Sequence, residues 1–359
     1  PQMPHRNMKA GSTSRSRDHR RRPILHTAAL ALLAALLGMT APIASARVDR
    51  VEITSRSPVA DGRAFGRAGA YELVVGRLHY SVDPADPGNR TIVDLPLAPR
   101  DASGRVAFSG DFTLLRPAAG SRSNGRLLYE VNNRGNYRLL DLFQDSAVSN
   151  AVGDAAAKGN DWLLAQGYSL LWTGWNWDVQ PGNGRQTIDL PVARQADGQP
   201  ITGPVISEIF VNAPTRAAAH AGLLAIGYPF ADGAQAKATL TVRDKPDGPR
   251  TTIAREQWTL ARIDQGREVA DDRHVLLRTG FEPGRIYELG YEARDPVVTG
   301  LGLAAIRDAV SFFRYQDRDR AGTPNPLLTG DGRLPRHVLG FGLSQSGRVI
   351  QTLLLDGLE

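Results

Sequence analysis

The chain has 359 residues, 42% of them hydrophobic and 22% charged, which is an ordinary globular composition and argues against a disordered chain. It has no cysteine, which excludes disulfides, cysteine nucleophiles and thiolate metal sites. Seven of the 43 basic side chains but only one of the 37 acidic ones lie in residues 1–46, so the net charge of +6 belongs to that segment and the remainder is neutral. A neutral body argues against a nucleic-acid partner, because phosphate binding requires concentrated Lys and Arg.

The first 46 residues have the order of an export signal. A basic stretch ends at Arg22, an apolar stretch of mainly Ala and Leu covers 28–37, and Ala44-Ser45-Ala46 follows. We expect cleavage after Ala46, by the Sec or the Tat route, and a periplasmic or secreted protein whose contact with the membrane is limited to this signal. A transmembrane anchor is the alternative, but it requires about 20 apolar residues, and Thr40 and Pro42 interrupt this stretch.

Residues 47–125 and 126–177 show different patterns. The first segment alternates apolar runs with turns that contain Gly and Pro, which predicts a β-rich N-terminal module. In the second segment, the strand Arg126–Val131 ends in the polar loop Asn132–Asn136, a helix stops at Gly167, and another apolar strand follows. This order is typical of the first part of a parallel sheet with helices on both faces, whose chemistry lies at the carboxyl ends of the strands.

The rest of the chain departs from this pattern and then returns to it. Residues 178–293 contain runs of alternating apolar and polar residues, which predict a β-rich insertion. Residues 294–359 resume the α/β pattern with a helix over Leu303–Tyr315, a strand over His337–Gly342 and a helix over Arg348–Leu355. We therefore expect an α/β fold, α/β-hydrolase-like, with a mostly parallel sheet that is incomplete on its C-terminal side.

The junction between the last strand and the last helix has the pattern of a catalytic turn. Gly342-Leu343-Ser344-Gln345-Ser346-Gly347 matches a nucleophile elbow, in which a serine occupies a tight turn between strand and helix. The residues two before and two after the serine must be small, and Gly342 and Ser346 meet that requirement around Ser344. The competing nucleophile, Ser346, would place Arg348 at the crowded position. We therefore predict that Ser344 is the nucleophile.

Three segments carry a resemblance to known proteins: Gly340–Arg348, Tyr129–Asn136, and Ala293–Val298 with Gly300–Leu303. Together they resemble a bacterial family named the alpha/beta hydrolase domain family, over a span from Val48 to the last residue. The resemblance implies a serine hydrolase whose members are usually much longer. These members have no settled substrate, and our own expectation is a small-molecule ester or related acyl substrate.

The resemblance further implies roles for individual residues. Ser344 attacks the acyl carbon, and the backbone N–H of Gln345 stabilises the oxyanion. A second oxyanion donor comes from the loop that contains Asn133, Arg134 and Gly135. The alternative role of this loop is a polar turn at the end of a strand.

Cofactor and metal sites are not expected. Gly300-Leu301-Gly302-Leu303-Ala304-Ala305 fits a relaxed dinucleotide fingerprint, but Pro296 interrupts the preceding strand and residues 316–320 form a charged loop where a strand ending in one acid is required. We expect these glycines to let the helix pack closely on the sheet. No two histidines stand four residues apart, as a helical zinc site requires. Three tryptophans either line an acyl pocket or pack in the core: Trp172, Trp175 and Trp177.

The sequence around Ser344 departs from a complete catalytic triad. In the α/β-hydrolase order, the acid and the histidine follow the nucleophile, whereas only 15 residues follow Ser344, none of them histidine, and Asp356 and Glu359 are the only acids. His337 precedes Ser344 by seven residues of extended chain, about 23 Å at 3.3 Å per residue. We therefore expect an N-terminal portion of a longer hydrolase that is inactive by itself. A non-catalytic secreted binding protein is the alternative.

Overall fold

The computed structural model describes residues 48–222, 226–328 and 333–357. The predicted export signal lies outside the described residues. The strands are β1 (Val48–Pro58), β2 (Tyr71–Val82), β3 (Val106–Pro117), β4 (Arg126–Val131), β5 (Ser169–Thr173), β6 (Ile188–Asp189), β7 (Thr202–Ile209), β8 (Thr215–Ala219), β9 (Thr239–Arg243), β10 (Thr251–Ile253), β11 (Trp258–Asp264), β12 (Arg267–Phe281), β13 (Ile286–Arg294) and β14 (His337–Gly342). The α-helices are α1 (Leu139–Phe143), α2 (Val152–Lys158), α3 (Trp162–Ala165), α4 (Leu301–Tyr315) and α5 (Gln345–Leu355).

Seven strands form the largest sheet, in the order β1-β2-β3-β5-β4-β14, with β6 paired to β3. Successive strands β1, β2 and β3 pair antiparallel, and β3 also pairs antiparallel with β5. β4 pairs parallel with both β5 and β14. The carboxyl ends of β5, β4 and β14 therefore lie together at one edge of the sheet.

The expectation of an α/β-hydrolase-like, mostly parallel sheet is wrong. Among the described residues, 39% are in strands and 19% in helices, and the sheets are antiparallel except for the pairs that β4 makes with β5 and β14. The physical reason is that apolar periodicity identifies a strand and its buried face but not the direction of its partner. β1 to β3 belong to the same sheet as β4 and β5, and β3 pairs antiparallel with β5, so the strands of the N-terminal segment extend the parallel β5-β4-β14 part of the sheet with antiparallel pairs.

Several individual elements are nevertheless confirmed. β4 and β14 have the predicted bounds, and the predicted helices over Leu303–Tyr315 and Arg348–Leu355 lie within α4 and α5. These segments combine a long apolar pattern with a clear stop, such as the polar loop after Val131. Local sequence is most informative where both signals coincide.

Helices cover both faces of the large sheet. On one face, Leu127 and Val131 of β4 share a hydrophobic cluster with Ala305 and Phe312 of α4, and apolar residues of α5 pack against the same cluster. On the other face, Leu128 of β4 and side chains of β5 share a cluster with residues of α1, α2 and α3. β4 is thus buried on both faces, whereas β14 is an edge strand whose Leu339 is 45% exposed.

The segment between β6 and α4 forms two smaller antiparallel sheets, β10-β9-β13-β7 and β11-β12-β8. In β9, Leu240 and Val242 are buried and Thr239 is exposed, as the predicted alternation requires, but Arg243 at a predicted polar position is also buried. Buried side chains from both sheets meet in a third hydrophobic cluster, which includes Trp258, Phe281 and Leu289. This cluster shares no buried residue with the two clusters on the faces of the large sheet.

Candidate functional site

The backbone of Ser344 is strained. Its φ of 57° and ψ of −114° lie outside the left-handed helical region, which combines a similar φ with a ψ near +47°. A residue other than glycine in such a sparsely populated region costs about 1–3 kcal/mol and persists only when its surroundings force the conformation. The strain falls at the point where β14 ends and α5 begins.

Two glycines make this turn sterically possible. A Cβ added at Gly342 would lie 2.6 Å from the carbonyl carbon and oxygen of Ser346 and 2.8 Å from the nitrogen of Gly347. A Cβ added at Gly347 would lie 3.0 Å from the carbonyl oxygen of Gly342. The backbones of the strand and the helix therefore approach too closely for a side chain at Gly342, as a nucleophile elbow requires.

The two serines of the turn have different environments. Ser346 is buried, and its hydroxyl accepts from the backbone N–H of Leu343 at 2.9 Å and donates to the Leu343 carbonyl at 3.0 Å. Ser344 is exposed and occupies the N-cap position of α5, yet its side chain makes no capping hydrogen bond. The Ser346 hydroxyl thus holds the turn closed, while the Ser344 hydroxyl is available to an external molecule.

The N-terminus of α5 lies directly after Ser344. Gln345 is the first residue of this 11-residue helix, so its backbone N–H has no acceptor inside the helix. The partial positive charge of a helix N-terminus favours negative charge there. An oxyanion that forms next to Ser344 therefore has a donor in the N–H of Gln345.

The polar loop after β4 lies beside the turn. β4 and β14 pair in parallel with Val131 opposite Gly342, which brings the residues after both strands together. The side-chain amide of Asn133 donates to the carbonyl of Leu343 at 3.0 Å. Asn133 is thereby a direct link between the loop and the residue that precedes Ser344.

Most of the loop's backbone donors are engaged within the loop. The N–H of Asn133 donates to Asn136 at 3.0 Å, and the N–H of Gly135 donates to the side-chain oxygen of Asn132 at 2.9 Å. Arg134 and Gly135 both have positive φ, as a tight turn of this kind requires, and the Arg134 guanidinium pairs with Asp178 at 3.2 Å. Of the three predicted oxyanion residues in this loop, Arg134 is the one whose backbone N–H has no acceptor among the described residues.

A cleft of about 750 Å³ adjoins the loop. Its polar lining residues are Asn133, Asn136, Arg138, Ser149, Asn150, Asn183 and Arg185. The lining residues that the structure describes include no acid. Amides and guanidinium groups of this kind suit a polar molecule bound next to Asn133.

The three tryptophans do not line this cleft. Trp172 is fully buried and donates to Glu130, and Trp175 donates to the carbonyl of Asn132 at 2.8 Å. Trp177 contacts the ring of Tyr228, with 4.7 Å between the ring centroids. Trp172 and Trp175 therefore support the ends of β4 and β5 from inside the protein.

Glu130 is a buried acid at the same edge of the sheet, and the sequence analysis missed it. Its carboxylate accepts the backbone N–H groups of Arg138 at 2.8 Å and Leu139 at 3.0 Å, as well as the indole N–H of Trp172. Burial raises the pKa of Glu130 to about 7, although these three donors act in the opposite direction. The signal in the sequence that could have identified Glu130 is that it is the single acid inside the apolar strand of residues 126–131.

The four described histidines lie away from the elbow. His337 begins β14 opposite Arg126, at the far end of the strand from Ser344. The others belong to separate clusters: His79 pairs with Glu52, His274 pairs with Asp271, and buried His220 packs against Phe230 and Tyr291. Within the described part of the chain, no hydrogen bond joins a histidine to Ser344.

The segment that resembles a dinucleotide fingerprint has a packing role. A Cβ at Gly302 would lie 2.0 Å from the carbonyl oxygen of Trp175, so this glycine lets α4 approach the end of β5. Across residues 48–222, 226–328 and 333–357, no group of three or more His, Asp or Glu side chains is arranged to hold a metal ion. None of the described helices is both long and apolar enough to cross a membrane.

Comparison of the chain with protein-family models, with curated proteins and with solved structures found no match.

Proposed function

We propose that the protein is a serine hydrolase in which Ser344 attacks an ester or related acyl substrate. The observation that carries this proposal is the strained backbone of an exposed serine at a strand-to-helix junction. Strain of this kind persists where the surroundings enforce it, and such residues cluster at active sites. The buried and fully engaged hydroxyl of Ser346 supports the choice of Ser344.

The chemistry follows from the groups around Ser344. Its oxygen forms a bond to the acyl carbon, the carbonyl oxygen becomes an oxyanion, and the N–H of Gln345 donates to that oxyanion. Expulsion of the alcohol leaves an acyl-serine, which water then hydrolyses to the free acid. The N–H of Arg134 is the candidate second donor, because the N–H groups of Asn133 and Gly135 already have acceptors.

The cleft beside Asn133 is the proposed substrate site. Its amide and guanidinium lining favours a polar substrate over a long aliphatic one. Asn133 lines the cleft and also donates to Leu343, so it positions the elbow relative to the substrate. We therefore assign Asn133 a positioning role.

The reaction also needs a general base that takes the proton from the Ser344 hydroxyl. A serine hydroxyl is a weak nucleophile until a base takes its proton, and none of the described histidines forms a hydrogen bond with Ser344. Added imidazole is small enough to reach an exposed hydroxyl and can act as an external base. This property makes the proposal testable on the chain as it stands.

The test is covalent labelling of the purified chain with a fluorophosphonate, with and without added imidazole. We expect phosphonylation of Ser344, located by peptide mass spectrometry, that imidazole accelerates. Ser344→Ala should lose the label, whereas Ser149→Ala, which removes a half-buried serine that lines the neighbouring cleft, should keep it. Labelling that is absent in both conditions, or spread over many serines without preference, would contradict the proposal and favour a non-catalytic binding protein.

A further inference from the structure

A second cleft lies at the opposite edge of the large sheet, where β4, β5 and β14 begin. It has a volume of about 870 Å³ and is formed by the segment that follows β3, by Ser169 and by residues 327–328 and 333–336. The six residues of β4 separate its edge of the sheet from the elbow by about 20 Å at 3.3 Å per residue. The cleft is therefore distinct from the proposed substrate site.

The described residues that line this second cleft include four arginines and no acid: Arg116, Arg122, Arg333 and Arg336. Arg116 forms an ion pair with Glu72, so its charge is compensated inside the protein. Arg122 and Arg336 are exposed, and neither guanidinium donates to another described side chain or carbonyl. Two guanidinium groups that have no ion-pair partner among the described residues thus share one concave surface, which produces a positive potential.

The backbone that carries these two arginines is held in place. The N–H of Arg122 donates to Ala68 at 2.7 Å, and the N–H of Arg336 donates to Gly125 at 2.8 Å. Between them, the N–H of Asn124 donates to Gly167 at 3.0 Å. The backbone that carries the two guanidinium groups is therefore already ordered before a ligand binds. This lowers the entropic cost of binding.

The opposite wall of the second cleft is also fixed. Asn325 is buried, and its amide donates to the carbonyls of Phe312 at 3.0 Å and Gln316 at 2.7 Å. Its side-chain oxygen accepts the N–H of Leu327 at 2.8 Å. The Arg116 guanidinium donates to the carbonyl of the intervening Pro326, which ties the two walls together.

We propose that the second cleft binds a small organic carboxylate. The planar guanidinium groups of Arg122 and Arg336 match the geometry of a carboxylate. The apolar part of the ligand then packs against Pro117, Leu327 and Leu334, which line the same cleft. A combination of apolar walls with a few charged groups is typical of small-molecule sites.

The test is isothermal titration of the full chain with acetate, hexanoate, 1-hexanol and inorganic phosphate. We expect hexanoate to bind more tightly than acetate, because its chain contacts the apolar wall, and the uncharged alcohol to bind more weakly than hexanoate. Hexanoate binding should weaken as salt is added. Phosphate that binds more tightly than hexanoate would overturn the assignment to an organic carboxylate, and so would the absence of carboxylate binding.

Variants identify the site. The double substitution Arg122→Gln with Arg336→Gln should weaken hexanoate binding by about tenfold or more, because it removes both charged donors. The matched control is Arg90→Gln with Arg100→Gln, which removes the same charge from exposed positions outside the cleft lining. An equal loss in both double variants would contradict the proposal. Ser344→Ala should leave hexanoate binding unchanged, so this test is independent of the proposed hydrolase function.

Discussion

At the carboxyl end of β4, polar groups point inward and are engaged: Glu130 accepts three N–H groups, and Asn133 holds the carbonyl before the strained Ser344. At the amino end of the same strand, the guanidinium groups of Arg122 and Arg336 are exposed and make no such bonds to the residues that the structure describes. Close packing and hydrogen bonds hold the side chains at the carboxyl end. At the amino end, the backbone is held in place but the charged side chains are not. Single substitutions should therefore affect stability strongly at the carboxyl end and weakly at the amino end.

The largest effect is expected at Gly342. Gly342→Ala places a Cβ 2.6 Å from the backbone of Ser346, so the strand and the helix must separate. We expect the free energy of unfolding to fall by about 3 kcal/mol, as in other overpacked sites. Gly340 lies on the same strand, and no atom lies within 4 Å of a Cβ added there. Gly340→Ala is therefore the matched control. Urea denaturation measures both, and similar losses in the two variants would show that the elbow is not tightly packed.

Glu130 should make stability depend on pH. Burial raises its pKa to about 7 from 4.5, so in that interval the folded state keeps a proton that the unfolded state has released. The free energy of unfolding should therefore fall as pH rises from about 4.5 through about 7, by on the order of 2 kcal/mol, and then level off.

The comparison that isolates this contribution is Glu130→Gln, which cannot ionise. Denaturation of both proteins at about pH 5 and about pH 8 should show that the parent chain loses more stability than the variant over this interval. Equal losses in the two proteins would mean that Glu130 has an ordinary pKa in the folded state.

The strain at Ser344 should be measurable as stability gained on its removal. Glycine adopts positive φ without steric cost, so Ser344→Gly should raise the free energy of unfolding by about 1 kcal/mol after the added flexibility of the unfolded chain is subtracted. Ser344→Ala keeps the Cβ and should leave stability nearly unchanged. If the glycine variant is no more stable than the alanine variant, the turn is not strained.

The smallest loss of stability is expected at Asn133. Asn133→Ala removes the hydrogen bond to Leu343 and should cost about 1 kcal/mol. Asn133→Asp keeps the size of the side chain but faces a carboxylate towards a carbonyl, so it should cost at least as much. Both variants should also slow imidazole-assisted labelling of Ser344. Unchanged labelling in both would remove Asn133 from its positioning role.

Part of the fold could be predicted from the sequence. β4, β14 and the helices that became α4 and α5 combine apolar periodicity with clear stop signals, and these are local properties. The two small residues around Ser344 also indicated the tight turn, because a steric requirement at fixed spacing is visible in the sequence. The export signal, the resemblance to a hydrolase family and the ester substrate stay predictions.

Partner choice and distant contacts could not be predicted. The sequence could identify β1, β2 and β3 as strands, but only the tertiary structure decided that β3 joins them to β5 antiparallel and makes one mixed sheet. The contact of Asn133 with Leu343 joins residues 210 positions apart, and the second cleft joins segments separated by similar distances. Local sequence sets the conformation of each segment, whereas strand direction and the meeting of remote side chains depend on how the whole chain buries its apolar faces.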